Sequence, residues 1–296
     1  MKKRSGPPGG GLPARRCATI LVLLLAAASV PIAAGRVFAG EAPPPPHPVG
    51  APENPALVEF GSALTFYVGF DNRDLMADLS GGNGRPVSRD GPAVLRPGLY
   101  GRALLAGKDP VVYRAAGNID LSRPGALAIW VSAYHWRHPK SPPWFSFLYV
   151  SDHGRTLSLA RMGTAGNREA VYAYAGAGNK LVSVVAGRSL GWKTGQWHLL
   201  VVDWRFQSIE FSLDGRTWHQ AGLVNTGFAH AGGPPGVLHV GGSAAPAQRC
   251  LLDELLVFNR PLTMREIKTL YRLGCNHLRD RGGAKAGAPS AHACGP

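Results

Sequence analysis

Short apolar runs separated by turn residues recur from about residue 57 to residue 275 of the 296-residue chain. Runs at 63–70, 126–134, 145–150, 156–162, 169–175, 180–186, 197–204, 209–213, 217–221, 237–240 and 250–258 have strand length, and Gly, Pro, Asn or Asp stands in most of the gaps. Ile209, Phe211 and Leu213 alternate with Glu210 and Ser212, and Asp214-Gly215 has the chemistry of a two-residue type I′ turn. Counting outward from that turn predicts Phe211 opposite Trp218. After the run at 250–258, Asn259 to Pro261 break the strand, and Thr263 and Glu266 have capping-box spacing. Ile267, Leu270 and Tyr271 then fall on one helical face, with Gly274 placed as a C-terminal cap. Many short antiparallel strands and one late helix predict an all-β fold: two packed antiparallel sheets, a jelly-roll sandwich, with one short C-terminal helix.

The ends of the chain read differently from the middle. Residues 1–39 have a basic start (Lys2, Lys3, Arg4, Arg15, Arg16), an apolar stretch from Ala18 to Ala34 and small residues at Val37-Phe38-Ala39, the pattern of a signal peptide. The apolar stretch is short for a membrane anchor and is broken by Pro31, so a cleaved leader and an exported product, with no stable membrane span, are expected. Residues 40–56 form a Pro-rich linker, 57–275 the sandwich domain, and 276–296 a Gly-, Ala- and Arg-rich tail expected to be disordered. The leader holds six of the 32 basic residues and none of the 18 acidic ones, so the exported chain carries +8. Its bases are scattered and no nucleic-acid-binding module is present, which argues against a nucleic-acid partner. Three cysteines follow the leader. Cys250 with Cys275 is the preferred disulfide because both lie inside the domain, with Cys275–Cys294 the alternative.

Several segments, in order, carry a family likeness. Phe66 to Asp71, the Asp78-Leu79-Ser80-Gly81-Gly82-Asn83-Gly84 turn, Gly98 to Leu104, Ala126 to Val131, Trp197 to Val201 and Asp253 to Ile267 together resemble laminin-G-like domains of the concanavalin A-like lectin/glucanase superfamily. The resemblance implies a concanavalin A-like jelly roll. It also implies oxygen ligands for a structural Ca2+ near a sheet rim, for which Asp71, Asp78, Asn83 and Asp253 are the matching candidates. The same Asp78–Gly84 run also builds Asx turns without an ion.

Catalytic patterns are scarce. Glucanases of that superfamily use acids on alternate strand positions, whereas no two acidic residues here are spaced i, i+2. Asp253 and Glu254 are neighbours and would face opposite sides of a regular strand. Gly241-Gly242-Ser243-Ala244-Ala245 departs from a nucleophile elbow at its last position and reads as a turn. Ligand contact is expected instead from the segment between two strands that holds Tyr134, Trp136, Arg137, Lys140 and Trp144, where rings can stack on sugars and bases can meet acidic ones. Trp130, Trp197 and Trp204 sit in apolar strands and read as core.

The expected function is therefore an exported recognition domain binding a glycan or an extracellular protein, without chemistry of its own. A polysaccharide hydrolase or lyase that assembles Asp71, Asp152, Asp203 and Asp253 from separate strands, and a structural assembly protein, are the alternatives.

Overall fold

The computed structural model describes residues 54–89, 91–134, 144–164, 168–177, 180–186, 191–222, 236–243, 249–283 and 294; the leader, most of the linker, and Trp136, Arg137 and Lys140 lie outside them. A short helix α1 (Pro55–Phe60) and a 3-10 turn lead into β1 (Leu64–Val68). Then come β2 (Leu79–Ser80), β3 (Leu95–Pro97), β4 (Arg102–Ala106), β5 (Val111–Arg114), β6 (Gly125–Tyr134), β7 (Phe145–Asp152) and β8 (Arg155–Thr164). The series continues with β9 (Arg168–Ala177), β10 (Lys180–Ala186), β11 (Trp197–Trp204), β12 (Ser208–Leu213), β13 (Thr217–Gly222), β14 (Val237–Val240) and β15 (Arg249–Phe258), and closes with α2 (Met264–Gly283).

These strands form two antiparallel sheets. The first runs β13-β12-β11-β6-β15-β1-β2, with β4 beside the early half of β15 and β3 beside β4; the second runs β10-β9-β8-β7-β14-β5. Between the sheets, Phe66, Leu127, Ile129, Leu200 and Phe211 meet Phe147, Val150, Leu157, Val171 and Leu238. On its other face the first sheet packs Ala128, Trp130, Leu199, Val201 and Leu256 against α2 through Ile267, Leu270 and Cys275. A central strand covered on both faces has no solvent-facing side, which is why β6, β11 and β15 read as largely apolar runs. Each buried Leu or Phe there contributes about 2 kcal/mol of hydrophobic stabilisation.

The α2 start forms as its spacing dictates. Thr263 N–H donates to Glu266 Oε2 at 2.7 Å, Glu266 N–H donates to Thr263 Oγ1 at 3.3 Å, and Arg260 Nη2 sits 2.6 Å from Glu266 Oε1. Its end does not. The helix runs through Gly274 to Gly283, well into the stretch expected to be disordered. Gly274 is a contact residue, not a cap: a Cβ there would lie 2.3 Å from the Trp130 ring.

Two further expectations are corrected. The disulfide joins Cys275 to Cys294, with Cα atoms 5.9 Å apart, and Cys250 is free and buried. The reason is layering: Cys250 points between the two sheets while Cys275 sits on the buried face of α2, on opposite sides of the first sheet. In the β12–β13 hairpin, Trp218 pairs with Ser212 and His219 with Phe211, one residue off the two-residue count. Asp214 and Gly215 do take positive φ, as a type I′ turn requires. However, Asp214 also stays bonded to the neighbouring strand: its N–H donates to Leu199 O, and Leu199 N–H donates to Asp214 Oδ1, each at 2.9 Å. The loop that closes is therefore three residues long.

Candidate functional site

The exposed face of the second sheet carries a line of side chains that its register makes continuous. Val112 pairs with His239, His239 with Tyr149, Tyr149 with Ser158, Ser158 with Tyr174 and Tyr174 with Ser183, so one row crosses all six strands. Directly paired residues share a face. Their neighbours Leu148, Val150, Leu157, Leu159, Ala173, Ala175 and Leu238 point into the inter-sheet core, so the row points outward.

Rings dominate this face. Tyr149 is 36% exposed and meets His239 edge-on with ring centroids 5.7 Å apart. Tyr172 and Tyr174, two apart on β9, stack at 5.7 Å, and Trp144 lies 5.6 Å from Tyr174 while 39% exposed. Ala160 pairs with Tyr172 and is fully buried, and Ser158 is buried with its hydroxyl donating to Leu148 O. Small residues on β8 thus form a floor between taller rings on β7 and β9. The Tyr174 hydroxyl donates to the Met162 sulfur at 2.8 Å, and burial raises its pKa. Burial also lowers the His239 pKa, which keeps that imidazole neutral at neutral pH.

Of the five residues expected to contact ligand, Trp144 reaches this face. Tyr134 does not join it: at the end of β6 it packs against the cluster beneath α2, on the far side of the first sheet. Trp136, Arg137 and Lys140 lie outside the described residues. Tyr149, Tyr172, Tyr174 and His239 were not singled out from sequence. The Val-Tyr-Ala-Tyr-Ala alternation at 171–175 does signal a strand with rings on one side.

The acidic residues form a different centre. Asp71, Asp78 and Asp253 do come together, with Glu254 as a fourth member. A bulge in β15, opposite Ile129 of β6, puts Glu254 at φ +52, so its carboxyl turns to the same side as that of Asp253. The alternation expected of a regular strand therefore fails here. Asp253 Oδ2 accepts from Leu99 N–H at 2.7 Å, Asp71 Oδ1 from Arg102 N–H at 2.7 Å and Asp78 Oδ2 from Gly69 N–H at 2.8 Å. Asn83 is occupied separately, accepting from Arg85 N–H. Burial raises the pKa of Asp253 and Glu254, the latter to about 8. Asp253 thus clamps the β3–β4 turn to β15, while Asp71 and Asp78 pin the backbone of Arg102 and Gly69. No group of three or more His, Cys, Asp or Glu among the described residues is arranged to hold a metal ion.

At one end of the sandwich a cavity of about 650 Å³ opens between the β5–β6 connection and the β7–β8 turn, lined among others by Asp120, Arg123, Asp152, His153 and Arg155. Asp152 Oδ1 is 2.6 Å from His153 Nδ1, and its other oxygen is 3.9 Å from Arg155 Nη1. Asp203 lies elsewhere, buried, with Oδ2 accepting from Leu262 N–H. The acids proposed as a dispersed catalytic set therefore do not share one site.

No family model matches the chain, and no curated protein matches it. Solved structures do. The receptor-binding domain of a botulinum neurotoxin C/D mosaic serotype aligns with a TM-score of 0.55 at 11% identity, over 71% of this chain and 51% of that one. The binding domain of Paraclostridial Mosquitocidal Protein 1 aligns at 0.57 and 11% identity, over 73% and 53%. The binding domain of botulinum neurotoxin DC in complex with rat synaptotagmin II aligns at 0.57 and 9% identity, over 73% and 52%. The likeness is one of fold. This chain spans about half the length of those structures, and its β-sandwich is the part shared.

Proposed function

We propose that the protein is an exported, non-catalytic recognition domain that binds carbohydrate on the outer face of its six-stranded sheet. One observation carries this reading: Trp144, Tyr149, Tyr172 and Tyr174 present rings outward around a floor of small residues. Sugar rings have apolar C–H faces and polar edges. A tyrosine gives both a stacking surface and a hydroxyl, so a sheet of this kind can desolvate one side of a sugar while hydrogen-bonding its rim. The basic start and apolar run of residues 1–39 support export. Among the structural neighbours, the binding domain of botulinum neurotoxin DC is described in complex with SialylT and also with rat synaptotagmin II, which supports a binding role here.

A glycan-array screen of the protein, with calcium and again with chelator, tests the reading. Binding to one glycan class, unaffected by chelator, is the expected result. Absence of binding to every glycan overturns it.

A second reading has one observation in its favour. Asp120 and Asp152 line the same cavity as His153, so two carboxyls and an imidazole share an accessible space. Hydrolytic or eliminative cleavage of a polysaccharide that vanishes in Asp152→Asn would replace the recognition role with an enzymatic one.

A further inference from the structure

The ring-bearing face also defines the kind of carbohydrate it takes. Resting on the recognition reading above, we infer that the ligand is a neutral, linear polysaccharide lying across the strands along the row His239–Tyr149–Ser158–Tyr174, and not an acidic glycan.

Charge is the first reason. The chain has 32 basic and 18 acidic residues, yet among the described residues the outward positions next to this row carry none of them. The outward positions from Ser146 to Ser151 in β7, Thr156 to Met162 in β8 and Tyr172 to Gly176 in β9 hold only serine, threonine, tyrosine, alanine, methionine and glycine. Arg114, on the edge strand β5, is paired with Val237 one row away. A polyanion would find no counter-charge in the row, whereas the uncharged ligand needs none.

Direction is the second. The row is perpendicular to the strands and fixed by three consecutive pairings, and strands lie about 4.8 Å apart, so His239 to Tyr174 spans about 14 Å. Ser158 leaves a low step between Tyr149 and Tyr174, and Ala160 does the same beside Tyr172. An extended chain of about three sugar rings can bridge that step and meet a ring on each side. A compact or branched sugar would reach only one of the two.

The probes are four soluble neutral polymers (mixed-linkage β-glucan, xylan, mannan and dextran) and one polyanion, polygalacturonate, measured by affinity electrophoresis at low and high salt. Oligosaccharides of increasing length from the bound polymer are then titrated by calorimetry. Expected are binding to at least one neutral linear polymer with little salt dependence, affinity that climbs with chain length to about three rings and levels off, and a loss of about tenfold in each of Tyr149→Ala and Tyr174→Ala. Circular dichroism and melting of both variants separate loss of the site from loss of the fold, and Tyr149→Phe retains most of the affinity. Binding confined to polygalacturonate and abolished by salt overturns this inference and leaves carbohydrate recognition standing. So does neutral-polymer binding that neither alanine variant alters. Binding to none of the five overturns both.

Discussion

The Tyr67 hydroxyl donates a 2.8 Å hydrogen bond to Oε2 of Glu254, 187 residues further along the chain. Asn54 Nδ2, from the cap of α1, donates to the same oxygen. One buried carboxyl thus joins the first helix, the first strand and the last strand. In Tyr67→Phe the volume is kept and the donor lost, so Glu254 keeps only Asn54. Urea unfolding should show a loss of about 1–3 kcal/mol, the usual penalty for a buried polar group deprived of a partner. A variant as stable as the parent would show that the bond contributes nothing.

Stability should fall as pH rises through neutrality. Desolvation raises Glu254 from 4.5 to about 8 and Asp203 from 3.8 to about 8. Below the unfolded values both states hold the proton and the stabilisation is fully present. Above them the unfolded chain ionises first, and the advantage is lost progressively until pH passes about 8, where the folded groups must also ionise. Glu266 acts in the opposite sense: held down to about 2 mainly by its hydrogen bond from Arg260, it loses stability only on acidification below the 4.5 window. The urea midpoint measured near pH 5 should therefore exceed that near pH 8, and Glu254→Gln should flatten the difference. An unchanged or rising midpoint refutes the assignment.

Gly274 gives a test in which two effects oppose one another. Alanine in the middle of a helix is ordinarily favoured over glycine by about 0.5–1 kcal/mol. Here its Cβ would sit 2.3 Å from the Trp130 ring. Overpacking of that kind costs about 1–3 kcal/mol, so Gly274→Ala should melt at a lower temperature than the parent in spite of its better propensity. A higher melting temperature would mean that α2 can lift off the sheet without loss.

The Cys275–Cys294 bridge closes a 19-residue separation and should stabilise the folded chain by about 3 kcal/mol by restricting the unfolded one. Reduction, or the Cys294→Ser change, should lower the melting temperature. Cys250→Ser should leave the response to reductant intact. Alkylation of the native, oxidised domain should label none of Cys250, Cys275 and Cys294, and label Cys250 alone once the chain is unfolded without reductant.

Much of the fold was legible because its central strands are long and buried on both faces. The runs at 126–134, 197–204 and 250–258 became β6, β11 and β15, and the Thr263–Glu266 pair formed the cap it predicted. Short edge elements were not legible from pattern: β2 has two residues, β3 three and β5 four, too few for a period to show. Asn54-Pro55 is a helix start that lies outside the strand pattern. The Asn54 Oδ1 that accepts from Ala56 N–H and the proline at the first position define α1. The site was harder. That Tyr149 and Tyr174 share a row depends on the pairings of β7, β8 and β9, and a single bulge in β7 or β15 reverses which side chain faces where. Sequence alternation reveals that rings share a side, but only the assembled sheet reveals which side is wet.

The placement of β15 has a consequence for how the molecule is made. This final strand fills a gap in the middle of the first sheet, pairing with β6 on one edge and with β1 and β4 on the other. Until it emerges, β1 and β6 have no common neighbour and the hydrophobic layer between the sheets stays open. The first sheet therefore cannot be completed progressively from the N-terminal side; its closure waits for Arg249–Phe258 and is dominated by distant pairings, which makes it a late and slow step.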